Sequence, residues 1–391
     1  MKKIAFIVEP NYNLNHFGVR NYFVTIKNII NDIFITEFVS YTLNCGQYMW
    51  YKLIVQNEKE DVCDDVPIIY DRQKNNKVKY KDYISYNKKS DNRKSNYYFQ
   101  SIGKDLKNEN YDMAIITNPW LVSYGLKVDA KIILGITYDF VANEYVFMKK
   151  NKPFDWANSH RIGYEFYNEY CNRIFCISPL ISQQYKAFFP NVDAERVNHF
   201  EPFVTDQFRN VLYEEGNKEN SVILAAPFDL RKGLKEIPSI LNGLKERIEC
   251  LYIFGQPRCD VNDFNEFFDK LDLNKIVYYP YITYAGVINL YKRSKILLFP
   301  SSEEGLGIPI MEAQICGCRV IAQNKEPMNQ LVLDGGYLLT GELDEDIRKI
   351  DIILKDNQFN SFKLSQKASE IYSGESIKKV IEKCFVEKYE K

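Results

Sequence analysis

Two glutamates eight residues apart, Glu304 and Glu312, enclose the run Gly305-Leu306-Gly307-Ile308-Pro309, and an apolar stretch over residues 296–300 leads into it. Carboxylates accept hydrogen bonds from hydroxyls, and glycines let backbone amides come close to a ligand. Pro309 sits where a first helical residue belongs and Gly317 where a helix ends, so the spacing predicts strand, loop and helix over residues 296–317. In an open α/β sheet such a junction lies at the carboxyl edge, where unpaired helix N–H groups favour an anion. Glu304 then falls in the loop and Glu312 about one turn into the helix, both facing one crevice at different depths. Two acids at this spacing also occur by chance on solvated surfaces; the double-glycine turn and the apolar strand before it favour a site.

A second run repeats the pattern. Apolar residues 221–226 lead through Pro227 to Asp229-Leu230-Arg231-Lys232-Gly233, again strand into turn into helix. Lys232 is placed to reach an anion, and a cation there would stabilise negative charge growing on a leaving group. Arg231 either adds to that charge or lies on the surface. Weaker candidates come from elsewhere. Gly18 and Arg20 follow the first strand, in a segment (residues 11–22) that precedes a helix. Asp139 stands at a strand end, where it either orients an acceptor hydroxyl or caps a turn. His160 reads as a helix-surface residue. Gly255 and Tyr281 follow the apolar runs 250–254 and 276–279, in loops at the same carboxyl edge.

The elements that must hold these residues are visible as short apolar runs. Residues 4–8, 33–39, 113–117, 132–137 and 174–178 form one series; 221–226, 250–254, 276–279, 296–299 and 319–322 form a second. Amphipathic segments separate them, as a parallel sheet covered on both faces requires. The expectation is α/β with two doubly wound domains: an N-terminal one over residues 1–205 and a C-terminal one over 206–372. Residues 206–220 are polar and lack a sustained apolar face, which puts the boundary there. Residues 373–391 should be a helix returning to the N-terminal domain.

Composition removes several classes. The 51 basic and 52 acidic side chains give 51 − 52 = −1, without the basic excess of a nucleic-acid binder. The longest stretch free of charged side chains, residues 276–291, is interrupted by Pro280, Gly286 and Asn289, and no bilayer span is expected. The opening apolar run ends at Glu9 and reads as a strand rather than a secretory core. Cys171/Cys176 and Cys316/Cys318 are the nearest cysteine pairs, neither with metal-site spacing, so reduced thiols, a cytoplasmic chain and no metal are expected. Residues 71–104 carry ten Lys/Arg against three Asp, interleaved with six tyrosines and phenylalanines from Tyr80 to Phe99. That stretch reads either as a solvated insertion or as an edge resting peripherally on an anionic membrane face.

At Glu304 to Glu312 the chain resembles the retaining family 4 glycosyltransferases, whose signature is Glu, seven residues, Glu, on the GT-B architecture of two facing Rossmann-like domains with a cleft between them. The likeness runs from about Ile174 to Leu339 and is thin before that. It implies a retaining, metal-independent hexosyltransferase with no cofactor, taking a nucleotide-diphosphate sugar and a glycan or lipid-linked acceptor in surface polysaccharide synthesis. By resemblance, Glu304 contacts the donor hexose and Glu312 the ribose, with Gly305, Leu306, Gly307 and Ile308 lining the donor. Lys232 and Gly233 match the family's Lys-Gly, but Ala226-Pro227 stand where relatives have Gly-Arg, and Tyr138 replaces a histidine. Gly18 is what remains of the family's glycine-rich donor loop. A nucleotide-sugar epimerase of the same architecture and a non-catalytic glycan- or partner-binding relative are the alternatives.

Overall fold

The computed structural model describes residues 1–9, 18–44, 47–55, 65–72, 77–90, 99–103, 110–138, 155–214, 216 and 218–386. Two compact units are formed: unit 1 gathers Met1–Glu58, Asn96–Asp206 and Gly374–Lys391, and unit 2 gathers Lys59–Ser95 and Gln207–Ser373.

Unit 1 is built on an eight-stranded sheet. In chain order its strands are β1 (Lys3–Ile7), β2 (Ile35–Asn44), β3 (Gln47–Val55), β5 (Phe99–Gly103), β6 (Tyr111–Ile116), β7 (Ala130–Thr137), β8 (Arg173–Cys176) and β9 (Val197–His199), while β4 (Ile68–Asp71) lies in unit 2. The spatial order is β5-β3-β2-β1-β6-β7-β8-β9. The run from β2 through β1 to β9 is parallel, and β3 and β5 add to it antiparallel. Residues 4–8 are wholly buried, as a central parallel strand with helices on both faces must be. Helix α1 (Gly18–Ile30) follows β1.

Unit 2 holds β10 (Glu219–Ala225), β11 (Cys250–Phe254), β12 (Lys275–Tyr279), β13 (Ser294–Phe299), β14 (Arg319–Gln323) and β15 (Tyr337–Leu339), ordered β15-β14-β13-β10-β11-β12-β4. From β10 the chain steps outward through β11 to β12, then returns to β13 on the other side of β10 and continues to β15. That is the doubly wound order, with its switch point between β10 and β13. All ten apolar runs picked out in the sequence are strands, five in each sheet.

Helix α2 (Tyr80–Ser90) precedes β5 in the chain; Asp155–Tyr170 and Pro179–Phe188 are α3 and α4. In unit 2, Ile237–Gly243 is α5, Val261–Lys270 α6, Tyr284–Arg293 α7, Ile308–Ile315 α8, Leu343–Lys355 α9 and Ser361–Ile371 α10. The last, α11 (Ser376–Val386), buries Ile377, Ile381 and Cys384.

One boundary needs correction. Residues 1–205 were expected as a single domain, but Lys59–Ser95 leave it for unit 2. The cause is a long-range pairing: β4 lies antiparallel on β12, with Asp71 opposite Lys275 and Ile68 opposite Tyr278. Tyr70 and Val78 are buried with Leu251, Phe264 and Tyr278 in the second core. The sheets are also not purely parallel, since β3 pairs antiparallel with both β2 and β5, and β4 antiparallel with β12.

Candidate functional site

The site is built from two loops that leave neighbouring strands at the switch point of unit 2. Every residue of β13 is buried, and its continuous apolar content holds the strand between two helical layers. Pro300 ends it, and residues 301–307 cross to α8. Gly307 occupies the N-cap position with φ +95°, a left-handed conformation that a side chain would strain, and Pro309 lies in the first helical turn. On the neighbouring strand, β10 is followed directly by Ala226, the one non-glycine residue with a positive φ (+49°) among the described residues. Asp229 then accepts from the Arg231 amide at 2.9 Å and caps the short turn Leu230–Lys232, which Gly233 closes at φ +79°.

These two loops are fastened to each other. The Ser302 amide donates to the Arg231 carbonyl at 2.7 Å. A Cβ on Gly233 would lie 2.7 Å from Pro300 Cγ, so the approach of the two loops depends on the missing side chain. Across this junction Lys232 Nζ bonds Glu304 Oε1, and the buried Ser301 hydroxyl donates to the same oxygen at 2.7 Å. Two donors therefore converge on Oε1, while Oε2 has no hydrogen-bond partner among the described residues. The Lys232 ammonium also lies 5.1 Å from the centre of the Phe299 ring. A half-buried cation and a carboxylate side by side at a sheet's carboxyl edge can bind an anion and hydroxyl groups together.

Glu312 is buried, and burial pushes its carboxyl up to about 8. It has no hydrogen-bond or ion-pair partner among the described residues. Its neighbours on α8 from Ile310 to Ile315 are buried as well, so the helix has no solvated face on which the acid could rest. Leu306 is buried and Ile308 half-buried at the mouth of the same helix. Gly305 lies in the bend between Glu304 and Leu306.

Arg231 does not join this pair. Its guanidinium turns to Asp229 at 3.2 Å. Burial raises the Asp229 carboxyl, but hydrogen bonds and charge from Arg231, helped by Lys232, outweigh it and hold the group below its usual value. Gly255 ends β11 with φ +115°, and a Cβ there would lie 2.9 Å from Ala226 Cα. Tyr281 lies in the loop after β12. In unit 1, Gly18 opens α1, with Arg20 half-buried in its first turn. Tyr138 is buried, edge-on to Tyr22 at 5.6 Å. Asp139 and residues 11–17 lie outside the described residues, and His160 stands on α3.

Ser301 and Ser302 were not singled out in the sequence, although both lie inside the strand-to-glutamate run; no residue spacing marks which carbonyl a hydroxyl will meet. Of the basic residues in 71–104 whose side chains are described, Arg72, Lys77 and Lys79 pair with Asp272 or Asp269, and Lys81 is exposed. Among the described residues no group of three or more His, Cys, Asp or Glu could hold a metal ion, and no helix is long and apolar enough to cross a membrane. A cavity of about 850 Å³ opens at the opposite, amino edge of the unit 2 sheet, lined among others by Lys218, Lys295, Arg319 and Asp356. Its cations are spent within the protein. Lys218 Nζ bonds the carbonyls of Tyr291, Lys292, Ser294 and Cys316, and Lys295 bonds Asn220, Asn357 and the Leu354 carbonyl.

Two doubly wound units, and the solved structures they resemble, give the chain a GT-B fold. Residues 210–371 match the family model "Glycosyl transferases group 1". Among solved structures, a TarM variant of S. aureus in complex with Fondaparinux, alpha-GlcNAc-glycerol and UDP is similar at TM-score 0.64 and 12% identity, covering 99% of this chain and all of that one. Anabaena Alr3699/HepE in complex with UDP and glucose is similar at TM-score 0.61 and 13% identity, again over 99% of this chain and all of that one. WaaG, a glycosyltransferase involved in lipopolysaccharide biosynthesis, follows at TM-score 0.51 and 13% identity, over 96% of this chain and 95% of that one. An uncharacterized 41.2 kDa protein in the cps region of Klebsiella pneumoniae is 26% identical over 161 residues, which is 41% of this chain and 42% of that relative's length.

Proposed function

We propose that this chain is a retaining glycosyltransferase that moves a hexose from a nucleotide-diphosphate sugar to a glycan or lipid-linked acceptor, in the synthesis of a surface polysaccharide. The observation that carries the reading is the Lys232–Glu304 pair at the switch point between β10 and β13. Within this reading, Lys232 faces the diphosphate and Glu304 presents Oε2 to the sugar hydroxyls. Glu312 takes the ribose, and the amides around Gly305, Leu306, Gly307 and Ile308 line the donor. Transfer breaks the bond between the anomeric carbon and the diphosphate oxygen and forms one to the acceptor oxygen, with the acceptor's proton passing to the leaving phosphate. Negative charge grows on the diphosphate as that bond opens, and a positioned ammonium stabilises it most where water is scarce.

Arg231 is a weaker contributor, since Asp229 already compensates its charge. Gly18, Arg20 and Asp139 remain proposals for contacts from unit 1, on resemblance alone. The capsule-region relative and the lipopolysaccharide enzyme among the structural neighbours support the polysaccharide setting.

The test is turnover of UDP-, GDP- and ADP-hexoses with lipid-linked and glycan acceptors, with the product's anomeric configuration read by NMR. Lys232→Ala and Glu304→Gln should each lower kcat by about 10² to 10³-fold, the usual loss on removing one electrostatic stabiliser. Normal turnover in Glu304→Gln, an inverted product, or donor conversion without any acceptor would each overturn the assignment.

A further inference from the structure

The basic, aromatic stretch has a structural role that charge alone does not suggest. The described residues from Asp65 through α2, which include the first part of that stretch, are fixed to unit 2 along two fronts. The first is the sheet edge and helix α6: β4 pairs with β12, the Tyr80 amide donates to Asn265 Oδ1 at 2.9 Å, and the Tyr80 ring meets Phe264 edge-on at 5.4 Å. Lys79 bonds both carboxylate oxygens of Asp269 at 2.6 and 2.7 Å.

The second front is the loop of residues 280–283 between β12 and α7. Asp65 accepts from the Thr283 amide at 2.7 Å and from the Thr283 hydroxyl at 2.9 Å. Thr283 in turn caps α7 by accepting from the Gly286 amide at 3.0 Å, and a Cβ on Gly286 would collide with Asp65. Two residues earlier in the loop stands Tyr281; Tyr83 is buried, and burial first and the neighbouring Tyr281 second push its hydroxyl up. At the base of the loop, Tyr278 donates to the Gly255 carbonyl at 2.9 Å. The β12–α7 loop is thus held at both ends by residues that lie some two hundred positions earlier in the chain.

We infer that this excursion sets the base selectivity of the donor site, with Asp65 and Tyr83 as positioning residues that fix the loop carrying Tyr281. The inference rests on reading the carboxyl edge of unit 2 as the donor site. Strands in a sheet lie about 4.8 Å apart, so the loop after β12 sits two spacings, roughly 10 Å, from the β10 edge where Lys232 stands. A nucleotide whose diphosphate lies on Lys232 and whose nucleoside runs along this edge reaches that loop. Residues 280–282 bring backbone groups to this edge, and backbone recognition discriminates only when the chain is held to a fraction of an ångström. A loop tied down at both ends meets that condition.

The experiment compares wild type with Asp65→Ala, Asp65→Asn and Tyr83→Phe, by calorimetric Kd for UDP, GDP and ADP and by kcat and KM for the matching sugar donors. Wild type should prefer one base. Asp65→Ala and Tyr83→Phe should narrow that preference by about tenfold, with the loss in KM rather than kcat. Asp65→Asn, which still offers an acceptor to Thr283, should recover part of it. Unchanged base ratios in folded Asp65→Ala and Tyr83→Phe overturn the inference while leaving the donor-site reading in place. Failure of wild type to bind any of the three nucleotides overturns both.

Discussion

At the scale of single residues, Glu312 carries the clearest consequence. Burial without a partner lifts its carboxyl to about 8, against 4.5 for an ordinary glutamate. Between those values the folded chain holds a proton that the unfolded chain has lost. The associated stability is therefore fully present below about pH 4.5 and drains away as pH rises through 8, by a few kcal/mol in all. Glu312→Gln keeps the shape and cannot ionise, so its stability should lack this slope. Urea unfolding of both proteins from pH 5 to pH 9 should show wild type losing ground to the variant. Parallel curves would mean that Glu312 is ionised at neutral pH. Much of this site is legible in the sequence because its chemistry is local: Glu304 and Lys232 stand in the loops that directly follow apolar strands, and Glu312 in the helix that the Glu304 loop opens. Ser302 and Asp65 are not, because their roles depend on a carbonyl or an amide supplied by distant chain.

At the scale of elements, the two glycines that shape the site differ in what a methyl group would meet. Gly233 combines φ +79° with a would-be Cβ 2.7 Å from Pro300 Cγ, whereas Gly307 has φ +95° but its nearest contact is Ile310 Cδ1 at 3.4 Å. Left-handed backbone costs a side chain about 1–2 kcal/mol, and only Gly233 adds steric overlap. Gly233→Ala should therefore destabilise by about 2–4 kcal/mol and Gly307→Ala by about 1–2 kcal/mol. Because Lys232 rides on the Gly233 turn, the first change should also lower activity more than its stability loss explains. Denaturant midpoints with kcat for both variants check this; equal destabilisation would show that the loop junction yields where it is drawn tight. The strands themselves were readable where apolar runs are long and central. The antiparallel strands β3, β4 and β5, at or next to a sheet edge, were not, because their pairing is set by the partner strand and leaves little periodicity of its own.

At the scale of the whole molecule, neither unit is a continuous stretch of chain, and this decides what each segment stabilises. Residues 374–391 belong to unit 1, where Ile377 and Ile381 are fully buried, Phe385 packs 5.4 Å from Phe34, and Lys378 bridges to Asp32 at 2.8 Å. Val78, by contrast, comes early in the sequence yet is buried in the core of unit 2. Ending the chain after Ser373 should therefore weaken unit 1 by at least about 4 kcal/mol, taking roughly 2 kcal/mol for each buried isoleucine, and leave unit 2 untouched. Val78→Ala should do the reverse, costing unit 2 about 2 kcal/mol and lowering its transition by roughly 4–8 °C. Calorimetry combined with limited proteolysis assigns each transition to its unit by the fragment that survives. The swap is the informative result: a change at the end of the chain must soften the unit that holds Met1, and a change at position 78 must soften the one that holds Glu304. If Val78→Ala instead lowered the transition of the unit containing β1, residues 59–95 would belong to unit 1, and the clamp on the β12–α7 loop would lose its anchor.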